Sequence, residues 1–365
     1  MELQKQIYKS QADQNIFFKI LAFLPSKIIS TLANLRALLF QWKILPIKKL
    51  PGKCISIGNI SLGGTGKTPL VIEVARFLGE NKKKVIILTR GYKSGLKSSE
   101  YIVLNNGKVC LGNRKEGQIY ADEAMLQSKL LPNAYIVVAA KRFKAAQIFL
   151  SDTTINEDDL VFILDDGYQH QQIYRDLNVL LLDAEKPIGN GCILPLGSLR
   201  ESFHAVERCD MVIWTRTNLV SNLDPWVTII KQLTENKVSV DADFVEGNVY
   251  KVEQGEILRI NRDELMNRPL FAVTAIAHPS RFFTSLENVG LIVEEQIVFS
   301  DHQRFNMKLL EEKFSYFEGL ITTAKDYWRE PSLFDGLPIS IYFIDLEVNI
   351  RSTQFQKTLL SVITH

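Results

Sequence analysis

Cysteine is scarce in this sequence, and its pattern excludes a disulfide framework or a zinc site. The 365 residues contain four cysteines, which are widely scattered, form no CxxC pair and do not cluster with histidine. A disulfide-stapled secreted domain and a zinc finger are therefore not expected, and a reducing cytoplasm fits the cysteine usage best.

A large net charge is also missing. The 43 basic residues nearly balance the 41 acidic ones, which leaves a net charge of +2. A general nucleic-acid binder would show a dominant basic face, so we expect no nucleic-acid partner. The apolar content of 46% and the charged content of 23% are ordinary for a soluble globular protein, and the length suffices for two domains.

Acidic residues are absent between Asp13 and Glu73. The same region is strongly apolar, but its charges and a proline interrupt every run of about 18 uncharged residues that a transmembrane helix would need. Glu2 and Asp13 do not fit the start of a signal peptide. The region is nevertheless rich in cations: Lys19, Lys27, Arg36, Lys43, Lys48, Lys49, Lys53 and Lys67.

The spacing of apolar residues predicts an amphipathic helix from Lys27 to Lys43. Such a basic helix can lie in a membrane interface, or its stripe can pack on the core of the protein. The excess of cations favours the first alternative, in which the helix lies on an anionic bilayer surface. The apolar stripe consists of Ile28, Ile29, Leu32, Leu35, Leu39 and Trp42.

A glycine-rich loop directly after this region is typical of phosphate binding. A short apolar strand, 54–57, leads into the loop, and a helix begins near Pro69. Backbone N–H groups in such a loop converge on phosphate oxygens, Lys67 can reach the β- and γ-phosphates, and the Thr68 hydroxyl can bind Mg²⁺. Ser61 stands where the strict pattern has glycine, but the strand–loop–helix context outweighs this. The predicted nucleotide-binding residues are Ser61, Leu62, Gly63, Gly64, Thr65, Gly66, Lys67 and Thr68.

Four apolar residues, 161–164, precede Asp165 and Asp166, about a hundred residues after the loop. This is the form of a Walker B strand, whose carboxylate holds Mg²⁺ directly or through water. The alternative is an aspartate that caps the next helix. We expect Asp165 and Asp166 to join Thr68 at the metal.

Several further apolar runs predict a parallel sheet with helices on both faces, an α/β fold of the P-loop NTPase type. A more polar segment follows Thr215, and then a second set of α/β signals begins. We therefore predict a kinase domain over 1–215 and a smaller α/β domain over 216–365. The runs of the first domain are 84–89, 135–139, 160–164, 177–182 and 210–214.

Two further acid–base candidates are less specific. Asp122 and Glu123 begin a predicted helix, 122–131, where a carboxylate can accept a proton from an acceptor hydroxyl or merely cap the helix. His302 follows Asp301, and a lone histidine is more often structural.

The motifs together resemble the tetraacyldisaccharide 4'-kinases of lipid A synthesis, in family order from residue 54 to 326. The most diagnostic is Asp-Asp-Gly-Tyr-Gln-His at 165–170. The others lie at 58–69, 88–92, 121–123, 194–201, 275–283, 301–302 and 322–326.

The resemblance implies ATP- and Mg²⁺-dependent phosphorylation of the 4'-hydroxyl of tetraacyldisaccharide 1-phosphate to lipid IVA. It also implies peripheral contact with the cytoplasmic face of the inner membrane through the N-terminal helix. By position, Asp122 would be the catalytic base, supported by His302, and Lys67 would bind phosphate. The residues that would line the substrate side are Asn59, Arg90, His170, Arg200 and Glu201.

Two other hypotheses fit parts of the sequence. One is a membrane-associated P-loop NTPase switch that hydrolyses GTP or ATP to control a partner. Selection of guanine would need a motif that Thr323-Ala-Lys-Asp326 matches only with its lysine displaced by one residue. A kinase for a soluble small molecule would not need the segment before Leu50.

Overall fold

The computed structural model describes residues 16–91, 94–114, 122–153, 155–219, 225–253, 256–301, 303–334, 336–350 and 352–364. Within these ranges it describes side chains at all positions except 16–20, 122, 158 and 219.

The chain divides into two compact units, and both are discontinuous in sequence. Unit 1 comprises Met1–Arg90, Lys141–Asp243 and Asn349–His365, and unit 2 comprises Gly91–Ala140 and Phe244–Val348. This division differs from the predicted domains, 1–215 and 216–365. The reason is tertiary packing, because residue 126 belongs to a buried apolar cluster of the 244–348 segment and residue 130 packs against that cluster.

The sheet of unit 1 is parallel, as four of the five apolar runs of the predicted first domain indicate. The fifth run, 135–139, lies in unit 2 and pairs antiparallel with residues 101–104, so its predicted place was wrong. Its strand order is β9–β8–β7–β1–β6–β2, and every neighbouring pair runs parallel. All six residues of β6 are buried, which explains why its sequence is a continuous apolar run rather than an alternating one. The strands are β1 (Lys53–Gly58), β2 (Lys84–Thr89), β6 (Leu160–Asp165), β7 (Leu177–Asp183), β8 (Met211–Thr215) and the first residues of β9 (Val238–Glu253).

The helices of unit 1 include the one that follows the glycine-rich loop. Leu70, Val74 and Leu78 of this helix, α2, are buried at a spacing of four residues, and the helix contacts β1, β2 and β6. The loop therefore rests on a fixed strand at one end and a packed helix at the other. The helices are α1 (Ile16–Gln41), α2 (Lys67–Glu80), α4 (Arg142–Ser151), α5 (Pro225–Leu233) and α9 (Thr353–Thr364).

Helix α1 is longer than predicted, and most of its predicted apolar stripe is exposed. It begins at Ile16 and continues through Pro25, whereas the prediction began at Lys27. Ala22, Ser26 and Phe40 of the helix are buried, while Leu24 and Leu32 are 66% and 59% exposed. Most of the predicted apolar stripe is therefore exposed, and only Leu39 of its six residues is partly buried. Among the described residues, no helix is long and apolar enough to cross a membrane.

Unit 2 combines an antiparallel portion with a second parallel sheet. In the first, β3 (Tyr101–Asn105) pairs with β4 (Lys108–Gly112) and β5 (Tyr135–Ala139). The parallel strands follow the order β12–β11–β13–β14, and the later part of β9 forms a hairpin with β10 (Glu256–Ile260). The remaining elements are β11 (Leu270–Thr274), β12 (Glu295–Val298), β13 (Gly319–Thr323), β14 (Ser340–Asn349), α3 (Asp122–Leu130), α6 (Pro279–Asn288), α7 (Met307–Glu311) and α8 (Ala324–Arg329).

Candidate active site

The glycine-rich loop connects β1 to α2 and borders open space. Gly66 directly precedes α2 with a left-handed φ of 85°, a conformation that glycine adopts without strain. A Cβ added at Gly63 or Gly64 would meet no atom within 4 Å. The loop therefore leaves room for a ligand beside its backbone amides and beside the N-terminus of α2, where anions are favoured.

The loop is held in shape from behind. Asn59, which is fully buried, donates from Nδ2 to Oγ1 of Thr65 at 2.8 Å. The backbone N–H of Leu62 donates to the carbonyl oxygen of Ser198 at 2.7 Å. Asn59 was predicted as a substrate-side residue. In this structure its side chain binds Thr65 of the loop.

Asp166 stands at the centre of a charge cluster beside the loop. Arg200 Nη1 lies 2.7 Å from Oδ2 and 2.9 Å from Oδ1 of Asp166. Lys67 Nζ lies 3.7 Å from Oδ1. Burial alone would raise the pKa of Asp166, but the cations of Lys67 and Arg200 outweigh it and hold that pKa below its usual range. Asp166 is therefore a carboxylate at neutral pH, and three predicted site residues meet here.

Asp165 and Thr68 flank this cluster from neighbouring elements. Asp165 ends β6, is 3% exposed and lies opposite Ile57 of β1 in the parallel register. Thr68 lies in the first turn of α2. No helix begins after Asp165 or Asp166 within residues 165–200 of the structure, which removes the helix-capping alternative.

The residues around the loop fit Mg²⁺ with a nucleotide. Carboxylate and hydroxyl oxygens are its preferred protein ligands, and Mg²⁺ usually takes only one or two carboxylates together with water and phosphate oxygens. In the described part of the chain, no group of three or more histidine, cysteine or acidic side chains is placed to hold a metal by itself. Asp165, Asp166 and Thr68 are the residues that would hold the ion, and the open space at Gly63 and Gly64 suits the phosphates.

Three other predicted substrate-side residues have distinct surroundings. Arg90 directly follows β2 and is exposed. Burial, reinforced by the positive charges of Arg142 and Arg175, lowers the pKa of His170 to about 3, so its imidazole is neutral at physiological pH. Glu201 is 6% exposed and accepts hydrogen bonds from Gln169 Nε2 at 2.8 Å and Arg208 Nη2 at 2.7 Å. Its carboxylate is thus committed to bonds within the protein.

The two proposed acid–base residues are only partly within the structure. Asp122 is the first residue of α3, which ends at Leu130, one residue before the predicted end; its side chain is outside the described set. His302 lies outside the described residues. The helix that carries Asp122 belongs to unit 2 and not, as predicted, to the domain of the glycine-rich loop.

Comparison with known proteins decides between the functions that this geometry allows. A family model for tetraacyldisaccharide-1-P 4'-kinase (LpxK) matches residues 18–364. The chain belongs to this family. The predicted resemblance is therefore confirmed over nearly the whole length of this LpxK-family chain.

Individual relatives agree with the family model. The tetraacyldisaccharide 4'-kinase of Halothermothrix orenii is 31% identical over 363 residues and covers 93% of this chain and 92% of its own. That of Geobacter sulfurreducens is 33% identical over 311 residues, covering 83% and 82%. A crystal structure of the "apo" form of Aquifex aeolicus LpxK in complex with ATP matches with a TM-score of 0.73 and 28% identity, covering 94% of this chain and 98% of that one. The α/β fold class is thereby confirmed.

One further arginine, Arg216, contacts the loop of this LpxK-family chain and was not among the predicted site residues. Arg216 donates from Nη2 to the carbonyl oxygen of Gly64 at 2.5 Å and pairs through Nη1 with the carboxylate of Asp183. The guanidinium thus ties the loop to the end of β7. Its sequence signal is its position as the first residue after β8, at the carboxyl edge of the parallel sheet where ligands bind.

The segment that resembles a guanine-reading motif has a different task in the LpxK fold. Asp326 is 3% exposed, and its Oδ2 accepts hydrogen bonds from Thr274 Oγ1 at 2.7 Å and Thr323 Oγ1 at 2.8 Å. A carboxylate that is buried and bonded in this way does not face a base. A switch that reads guanine through this segment is therefore not favoured, and the family match does not favour a nucleotide switch of either kind.

Proposed function

We propose that this LpxK-family chain transfers the γ-phosphate of ATP to the 4'-hydroxyl of tetraacyldisaccharide 1-phosphate and so forms lipid IVA. The observation that carries the proposal is the cluster of Lys67, Asp166 and Arg200 beside an open glycine-rich loop. Phosphoryl transfer depends mostly on positioning and on electrostatic stabilisation of the transferred group, and this cluster supplies both.

The loop residues bind and orient the nucleotide. The backbone amides of 61–68 and the N-terminus of α2 bind the phosphates, and Lys67 neutralises charge that develops on the transferred group. Asp166 holds the Lys67 ammonium near the loop, and Arg200 fixes Asp166. Mg²⁺, held by Thr68 with Asp165 and Asp166, would supply further charge neutralisation when bound.

Asp122 is the proposed general base, and His302 supports it. A carboxylate at the first residue of a helix can accept the proton that the acceptor hydroxyl loses as it attacks phosphorus. His170, which is neutral at physiological pH, can accept or donate one hydrogen bond to a substrate hydroxyl without adding charge. Arg90 is exposed beyond β2 and can pair with an anionic group of the substrate.

Helix α1 is the proposed site of contact with the cytoplasmic face of the inner membrane. Its exposed side chains include Leu24, Ile28, Leu32 and Trp42, a surface that an acylated substrate and its bilayer would cover. Lys27 and Arg36 on the same helix suit anionic headgroups. This peripheral contact would bring the enzyme to a substrate whose acyl chains remain in the lipid.

The experiment that tests the kinase function is ADP release by the purified protein with ATP and Mg²⁺, measured with and without the acceptor in mixed micelles. A kinase of this class should release ADP slowly alone and much faster when tetraacyldisaccharide 1-phosphate is present. Equal rates in both conditions, or a strong preference for GTP, would instead support a nucleotide switch.

Deletion of residues before Leu50 should lower activity on vesicle-bound acceptor, whereas a kinase for a soluble substrate would be unaffected.

A further inference from the structure

Two short helices of unit 2 pack against each other although they are far apart in sequence. Helix α3 contacts α8, and Lys325 of α8 places Nζ 2.9 Å from Oε1 of Glu123, which is 202 positions away. At the other end of α3, Lys129 Nζ lies 5.6 Å from the centre of the Trp328 ring. Leu126, between these two contacts, belongs to the same buried cluster as Trp328. Helix α3 is thus held by α8 at its first turn, its middle and its last turn.

Helix α8 is itself fixed to the sheet. The buried carboxylate of Asp326 accepts bonds from Thr274 Oγ1 at 2.7 Å and from the backbone N–H of Ala275 at 3.2 Å, both at the end of β11. Thr323 ends β13 and caps α8, accepting from the backbone N–H of Asp326 at 3.0 Å. Arg329 Nη1 lies 2.9 Å from Oδ1 of Asp326. These bonds leave α8 little freedom to shift, so it can serve as a fixed support for α3.

Helix α3 is also held by the β3–β4 hairpin. Ser128 Oγ accepts a hydrogen bond from the backbone N–H of Gly107 at 2.8 Å, in the hairpin turn. A Cβ at Gly107 would lie 1.9 Å from the Lys129 side chain, which shows how closely the turn approaches the helix. The contacts to α8 and to the hairpin together set the rotation of α3 about its axis.

We propose that Lys325 is a positioning residue for phosphoryl transfer: by holding Glu123, it fixes the first turn of the helix that begins at Asp122. The inference rests on the proposed function, in which Asp122 accepts the acceptor's proton. It assigns a role to the 322–326 segment, whose aspartate anchors α8 and whose lysine reaches α3.

Two magnitudes separate a positioning role from a purely structural one. The side chains of Lys325 and Glu123 are 30% and 46% exposed, and ion pairs of such exposure contribute little to stability. By contrast, a misplacement of about 1 Å at a reacting group can cost on the order of 10²-fold in rate. Loss of the pair should therefore be visible in turnover and barely visible in stability.

The test compares Lys325→Met with wild type in the acceptor-dependent assay. We expect kcat to fall by about 10-fold or more, since Asp122 would lose part of its orientation. The KM for ATP should stay within about 2-fold, because Lys325 does not belong to the glycine-rich loop or its charge cluster. The melting temperature should change by no more than about 2–4 °C. Lys325→Arg should recover most of the lost turnover, because arginine keeps the charge and a hydrogen-bond donor for Glu123.

A matched control is available in the same unit. Lys313 Nζ lies 2.7 Å from Oε1 of Glu295, and the two side chains are 27% and 37% exposed. Lys313→Met removes an ion pair of similar geometry and exposure, and it should leave kcat unchanged. Any general effect of losing a lysine from unit 2 would appear in both variants.

A double-mutant cycle then tests whether the pair acts as a unit. If Lys325 acts through Glu123, Glu123→Gln combined with Lys325→Met should be no slower than the slower single variant. Wild-type turnover in Lys325→Met, or multiplied losses in the double variant, would overturn the inference. A wild-type enzyme that does not transfer phosphate would instead overturn the proposed function, so the two failures are distinguishable.

Discussion

Arg200 Nη1 lies 2.7 Å from Oδ2 of Asp166, whose other carboxylate oxygen lies 3.7 Å from Lys67 Nζ. The backbone of Arg200 adds a second contact, because its N–H donates to the carbonyl oxygen of Ile60 at 2.8 Å, at the start of the glycine-rich loop. Arg200 thus contacts both the start of the glycine-rich loop and Asp166. The carboxylate that Arg200 binds is also the one that pairs with Lys67.

Arg200→Gln should lower the free energy of unfolding more at neutral pH than in acid. The folded-state pKa of Asp166 is below its unfolded value of 3.8 because Lys67 and Arg200 outweigh the effect of burial. The resulting stability is fully present above that value and is lost as pH falls through the lower folded pKa. Without Arg200 the folded pKa rises, so the variant should lose urea resistance above about pH 5 and approach wild type in acid.

The matched variant for that measurement is Arg268→Gln, which removes a surface guanidinium 3.8 Å from Glu318. It should show little change at any pH, since exposed pairs contribute about 0–1 kcal/mol. A constant difference between Arg200→Gln and wild type across the pH range would contradict the assignment to Asp166.

Lys67→Met should reduce kcat by about 10²-fold or more, because it removes a cation that stabilises the transferred phosphoryl group. Lys83→Met is the control: Lys83 also pairs with an aspartate, Asp159, at 3.6 Å, and its side chain is 20% exposed against 16% for Lys67. Steady-state kinetics of both variants are the measurement. Similar losses in the two would mean that Lys67 has no special role.

His170→Asn should make the protein less sensitive to mild acid. The folded-state pKa of His170 is about 3, whereas its ordinary value is 6.5. The unfolded chain therefore takes up a proton below about pH 6.5 that the folded protein does not, and the stability that the neutral ring confers is lost as pH falls. Thermal melts from pH 7.5 to 5 should show a smaller decrease for His170→Asn than for wild type. The comparison variant is His204→Asn, whose ring is 63% exposed. A wild-type slope in His170→Asn would refute the account.

Ile28→Glu combined with Leu32→Glu should abolish most binding to anionic vesicles. Both side chains are exposed on α1, and burying such a side chain in lipid gains about 1.5–3 kcal/mol, so the double variant should lose at least about 10-fold in partition coefficient. Ile292→Glu is the control, because Ile292 is 83% exposed but belongs to unit 2. Vesicle cosedimentation is the measurement. Retained binding by the α1 variant would mean that another surface contacts the membrane.

Local pattern was enough to predict most of the fold. The runs at 84–89, 160–164 and 177–182 became β2, β6 and β7, because buried parallel strands require continuous apolar sequence. The β3–β4 hairpin was missed, although its sequence carries a strong signal. Asn106 and Gly107 both adopt positive φ, 46° and 71°, and Asn-Gly is the preferred pair for such a turn.

Tertiary relationships could not be predicted in the same way. The Lys325–Glu123 contact joins residues 202 positions apart, and nothing in either segment specifies the other. The contact of Arg216 with Gly64 depends similarly on the order of strands in the sheet. On α1 the periodicity was visible, but the direction of the apolar face was not, because either face could have packed. In the structure Ala22, Ser26 and Phe40 are buried, and most of the apolar stripe is exposed.

The most direct test of the central proposal is to locate the transferred phosphate. The purified enzyme is incubated with Mg²⁺, ATP labelled at the γ-phosphate and tetraacyldisaccharide 1-phosphate, and the lipid product is analysed by mass spectrometry and phosphorus–proton NMR correlation. We expect one labelled phosphate per lipid, coupled to the proton at position 4', and at least about 10²-fold slower product formation by Lys67→Met. Label at another position, or only as inorganic phosphate, would contradict the proposal.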